Sequence, residues 1–145
     1  MLTFFTFADV TGPADTTKGV ITIYDIFGYY PQTLQGADIL ATSGATKYKV
    51  FMPDWFKGEP CPIEWFPPNT EEKQKNLGAF FQKNPPPGVA AALPGYVKAV
   101  SEKYPEIKDW AVLGVSNFSC KISLTYLPIP FLAYSSAGAA KSSLL

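Results

Sequence analysis

The chain has 145 residues, enough for one compact domain with a sizeable core, and its twelve basic residues balance twelve acidic ones. That balance supplies no field to draw the chain to nucleic acid or to a membrane surface, and the absence of histidine excludes any mechanism resting on an imidazole base of this chain. Two cysteines, Cys61 and Cys120, do not make a disulfide framework, so a reducing, cytoplasmic compartment is expected.

The N-terminal stretch MLTFFTFADV is apolar but lacks a basic flank and a small-residue cleavage site, and it is not expected to act as a signal peptide. Thr11-Gly12-Pro13 with Ala14-Asp15 reads as a turn. Lys18 to Tyr24 is a β-branched run with apolar residues on both faces, which suits a strand covered on both sides. A loop, DIFGYYPQT, follows. Gln32 to Thr42 then carries helical spacing in Leu34, Ala37, Ile39 and Leu40, with Gly44 as a stop.

Lys47 to Met52 is a second strand, ended by Pro53. Pro53 to Pro68, rich in Pro, Trp and Phe and without a period, reads as a long surface loop. Thr70-Glu71-Glu72 opens a helix running to about Gln82, and NPPPG at Asn84 is expected to break it. Leu93 to Tyr104 is a further helix with Pro94 in its first turn, and Trp110 to Gly114 a third strand. The alternation predicts an α/β fold with a mostly parallel sheet and right-handed crossovers. After Gly114 neither period is visible, and the stretch Leu124 to Tyr134, broken by Pro128 and Pro130, is too short to span a bilayer.

Ligands in open α/β sheets bind outside the carboxyl ends of the strands. Asp25 in YDIFG sits there; it either holds a catalytic group or caps a turn. The backbone N–H of Ile26 is placed to serve an oxyanion hole. Asp54 and Lys57 either face a substrate or belong to a Pro-Asp turn. Trp55, Trp65 and Phe66 line a pocket or seal the loop. Cys61, between prolines, has nothing to lower its pKa and reads as inert. Ser116 follows Gly114 at the spacing of a nucleophile elbow, but Phe118 stands where that turn needs glycine, so Ser116 also reads as inert.

The segments VTGPAD, IYDIFGYYPQTLQGADILA and KYKVFMPDWFKGEPCPIEWFPP, with the KYPEIKDWAVLG strand, resemble the fungal branch of the dienelactone hydrolase family over about Val10 to Gly114. The resemblance implies a partial α/β-hydrolase fold, truncated after the strand that leads to the nucleophile elbow. It implies cleavage of a small-molecule ester or lactone through a cysteine nucleophile, with no cofactor, metal, nucleic acid or membrane partner, and it leaves the oligomeric state open. It also implies that Asp25 matches the acid that contacts the nucleophilic thiol, commonly Glu in the family, and that the Ile26 amide matches half of the oxyanion hole. The family's Cys, Asp and His are missing from this chain, so it is expected to be inactive as written. The competing expectation is a non-catalytic fragment or binding module using an apolar pocket around Trp55 and Trp65.

The departure after Gly114 has a reading in the genetic code. Codons available to SAGAAKS, shifted by one frame, permit Cys-Trp-Gly-Gly-Lys-Ile, the elbow the family carries. Val115-Ser116 and Tyr134-Ser135 permit the two ends of an intron. Residues 1–114 are thus expected to form the N-terminal part of the hydrolase-like domain. Residues 115–145 are expected to be an aberrant tail, retained intron over Val115 to Ser135 and out-of-frame exon from Gly138 onward. A sheet cut there would expose an unpaired edge, a hazard for solubility.

Overall fold

The computed structural model describes residues 9–115, 131–133 and 141–143. Six strands form one mixed sheet: β1 (Asp9–Thr11), β2 (Lys18–Ile23), β3 (Lys49–Met52), β4 (Asp109–Gly114), β5 (Phe131–Ala133) and β6 (Lys141–Ser143), in the order β1-β3-β2-β4-β5-β6. The inner pairs β3-β2, β2-β4 and β4-β5 are parallel, and β1 and β6 close the edges antiparallel. Among the described residues three α-helices connect the strands: α1 (Pro31–Thr42), α2 (Glu71–Lys83) and α3 (Pro86–Lys103). None of the helices among the described residues is long and apolar enough to cross a membrane. The α/β class, the parallel core and the order of the main elements agree with the sequence reading.

Register divides the sheet into two faces. Ile21 pairs with Phe51 and Val112, so these three share a face, while Thr22, paired with Leu113, lies on the other with Tyr24. Right-handed crossovers place the β2-to-β3 and β3-to-β4 connections on opposite faces. Phe51 accordingly packs edge-on against Tyr104, which caps α3, and tilts against Trp110. Coverage of both faces explains why β3 is buried at every position and β2 at all but its first.

Local chemistry sets the helix ends. Pro31 opens α1, where its missing N–H costs nothing, and the Tyr30 carbonyl accepts from the Thr33 and Leu34 N–H groups at 2.9 and 3.1 Å. Thr70 caps α2 by accepting the Lys73 N–H at 3.3 Å, and Glu71 and Glu72 complement the positive end of the helix dipole.

The larger departure from expectation is α3, which starts at Pro86. The prolines of NPPPG do not separate a loop from a later helix. Pro85 is the N-cap, and Pro86 and Pro87 occupy the first turn, where proline is pre-shaped for helix. Pro94 therefore lies inside α3, not in its first turn, and leaves the Ala90 carbonyl without its helical donor.

Three short strands also escape the sequence pattern. In β1, Asp9, Val10 and Thr11 face Met52, Phe51 and Val50, and three residues are too few to show a period. Its exit needs Gly12 at φ +114°, because a Cβ there would lie 2.2 Å from the Tyr48 carbonyl oxygen. Strands β5 and β6 fall within 115–145, where no strand was expected; the remainder of that segment beyond Val115, including Ser116, Cys120 and residues 136–140 of the codon-shifted stretch SAGAAKS, lies outside the described residues, while the last two residues of that stretch, Lys141 and Ser142, belong to β6.

Candidate functional site at the carboxyl edge of the sheet

The chain order reverses between β2 and β4. After β2 the chain moves to β3 on one side, and after β3 it crosses to β4 on the other. The carboxyl ends of β2 and β4 are therefore a topological switch point, where an open α/β sheet leaves a crevice. The crevice is present: a cavity of about 330 Å³ lies between these strand ends and α1. Thr22, Tyr24, Leu40, Met52, Leu113 and Val115 line it, with Gly36 on the helix side.

The loop after β2 is held by its own backbone. Asp25 Oδ1 accepts the Phe27 N–H at 2.9 Å, a local turn bond of the kind that favours aspartate after a strand. Asp25 is half-buried and lines neither cleft described here. The Ile26 carbonyl accepts the Cys61 N–H at 2.8 Å, which ties this loop to the EPC segment. Gly28 follows at φ +81°, and a Cβ on it would come within 2.9 Å of Pro60. Among the described residues the Ile26 N–H meets no acceptor.

Two tyrosines fix the strand ends to the next loop. The Tyr24 hydroxyl donates to the Pro53 carbonyl at 2.7 Å, and the Tyr29 hydroxyl donates to the Met52 carbonyl at 2.7 Å. Burial pushes the Tyr24 phenol up to about 12, and burial also raises that of Tyr29. Sequence reasoning passed over both. Their signal was the aromatic density of YDIFGYY immediately after a buried strand.

Of the other candidates, Asp54 lines a second cleft on the far side of Tyr24, but Lys57 lines neither. Lys57 and Gly58, at φ +53° and +78°, form a tight turn closed by the Glu59 N–H on the Phe56 carbonyl at 3.0 Å. Cys61 is fully buried and its thiol is raised by burial and by Glu64, so it is no ready nucleophile.

The indoles do not surround a pocket. Trp55 donates Nε1–H to the Thr22 carbonyl at 2.9 Å and tilts its ring against Tyr96, sealing the loop over the α3 side. Trp65 packs against the core, and exposed Phe66 meets Phe27 edge-on. A binding module built around Trp55 and Trp65 is therefore not what the described residues form.

No family model matches the chain. Two curated relatives do, both uncharacterized AIM2 family proteins of Schizosaccharomyces pombe. One is 42% identical over 72 residues and the other 32% identical over 73, half of this chain in each case. Each match covers 28% of the relative's length, so the matched stretch is a minor part of those proteins. These names correct the family expectation. The relatives are AIM2 family proteins, not dienelactone hydrolases, and neither name carries a catalytic function. The dienelactone hydrolase assignment, and the cysteine-dependent hydrolase function drawn from it, are overturned, and the relatives' names lend no support to a non-catalytic binding module either. The chain is similar over half its length to a stretch of two larger AIM2 family proteins.

Proposed function

We propose that the chain forms the ligand-holding part of a longer enzyme whose small-molecule substrate, a carboxylic ester or lactone, enters at the switch-point cleft. The observation that carries this reading is the cleft's position. Residues of β2 and β4 line it together where the connections from β2 and from β3 run to opposite sides of the sheet order. Its wall is mostly apolar, from Ala37, Leu40, Met52, Leu113 and Val115, with Thr22, Tyr24, Gln32 and Thr33 as its polar residues. That mixture suits a compact, weakly polar carbonyl compound. The Ile26 N–H, on a loop clamped by Cys61 and by the Asp25 turn, meets no acceptor among the described residues, but Ile26 does not line the cleft and is not counted in its wall.

The finer reading of the architecture, part of an α/β-hydrolase sheet, is supported by the parallel core entered through an antiparallel edge strand. The free, buried Cys61 is compatible with a cytoplasmic setting.

The test is a titration of the full chain with dihydrocoumarin, a compact aromatic lactone. Gly36→Leu, which puts a bulky side chain at the helix wall of the cleft, should weaken binding at least tenfold while the fold is retained by circular dichroism. Unchanged affinity in that variant, or no saturable binding at all, would overturn the reading.

A further inference from the structure

The second cleft, about 410 Å³, opens on the other side of Tyr24. Its wall carries the rings of Tyr24, Phe27, Tyr29, Tyr30 and Phe56, and among the described residues Asp54 is its one charged residue. The rings support one another. Tyr24 tilts against Tyr29 with centroids 5.2 Å apart, and Phe56 stands edge-on to Tyr24 at 6.1 Å. The Tyr24 and Tyr29 hydroxyls are both spent on backbone carbonyls; Tyr24 and Phe56 are buried, so the ring surface open to an occupant comes from half-buried Phe27 and Tyr29 and from exposed Tyr30.

Among the described residues no cation pairs with Asp54; the ion pairs are Lys49–Glu106 and Lys83–Glu59. The neighbouring Lys57 is exposed and outside the cleft wall. The Asp54 charge reaches the rings, since it adds to burial in raising the Tyr24 and Tyr29 phenols.

We propose that this cleft binds an organic cation of the quaternary ammonium class. Electron-rich ring surfaces attract a cation, each contact strengthening binding roughly 2- to 30-fold. The carboxylate supplies the matching charge. A bare divalent ion is unsuited, because it needs several oxygen ligands and the wall offers one carboxylate. A primary ammonium needs three acceptors for its N–H groups, whereas a quaternary ammonium needs none. This site is distinct from the ester or lactone cleft, and the two share only Tyr24 as a wall.

The experiment titrates the full chain with phenyltrimethylammonium and with its uncharged isostere, tert-butylbenzene. The cation should bind at least tenfold more tightly, and Asp54→Asn should remove at least fivefold of that affinity. Tyr30→Ala, at an exposed rim position, should weaken the cation about threefold and serves as the second variant if Asp54→Asn does not fold. Saturating dihydrocoumarin should not displace the cation. Equal binding of the two probes, full affinity in both variants, absence of binding, or displacement by dihydrocoumarin would each overturn the assignment.

Discussion

The two faces of the sheet are covered in different ways. On one, α3 buries Val89, Ala90, Leu93, Tyr96 and Val100, and Phe51, Trp110 and Tyr104 interlock beside it. On the other, α1 buries only Ala37 and Ala41 and leaves Ile39 more than half exposed. Small residues at the contact let α1 approach at its C-terminal half, while its N-terminal half stands off over Thr22 and Leu113 and leaves the cleft. The same sheet thus carries its tightest packing on one side and its binding space on the other.

The sharpest way to break that contrast is a matched pair of truncations. Leu93→Ala, at a position with no solvent exposure, should cost about 2–5 kcal/mol in urea denaturation. Leu40→Ala, on the half-buried cleft wall, should cost about 1 kcal/mol. Equal losses would mean that both faces are packed alike.

Alkaline pH sharpens the account of the strand ends. The Tyr24 phenol is higher in the folded chain, at about 12, than its ordinary value of 10.0. The folded state therefore keeps a proton that the unfolded state releases, and stability present below pH 10 is lost as pH rises toward 12. A two-unit shift corresponds to about 2–3 kcal/mol. Tyr96 and Tyr29, also raised by burial, act in the same direction. Tyr24→Phe should flatten the loss between pH 10 and 12, measured as melting temperature against pH.

Glycine replacements give opposite signs on the two faces. Gly19→Ala would set a Cβ 2.7 Å from the Trp110 ring and 2.9 Å from Ile107, an overpacking expected to cost about 1–3 kcal/mol. Gly36→Ala meets nothing within 4 Å in the interior of α1, and should stabilise by about 0.5–1 kcal/mol. At the small end, Glu59→Gln removes the exposed partner of Lys83 and should leave the melting temperature unchanged.

How much of this was legible in the sequence follows from which signals are local. The buried strand of Lys18 to Tyr24, the Thr70 cap and the helix of Leu34, Ala37 and Leu40 announce themselves through period and composition. The start of α3 did not, because a proline run looks like a breaker unless it is known to occupy a first turn. The edge strand Asp9–Thr11 is defined by its pairing with β3, a partner some forty residues away that no local pattern names. In the site, the loop YDIFG was visible as a strand-end loop, but its aspartate turned out to be bonded to its own turn. The clefts needed the register of Thr22 beside Leu113 and the bonds of Tyr24 and Tyr29, which are tertiary facts. The family expectation rested on motif likeness alone, and the relatives' names went elsewhere.

The most direct test of the central claim is amide chemical-shift mapping of the full chain during dihydrocoumarin titration. The account predicts saturable shifts at Thr22, Gly36, Leu113 and Val115, around the switch-point cleft, with Leu93, Tyr96 and Val100 on α3 unmoved. Shifts centred on α3, or none at the ends of β2 and β4, would contradict it.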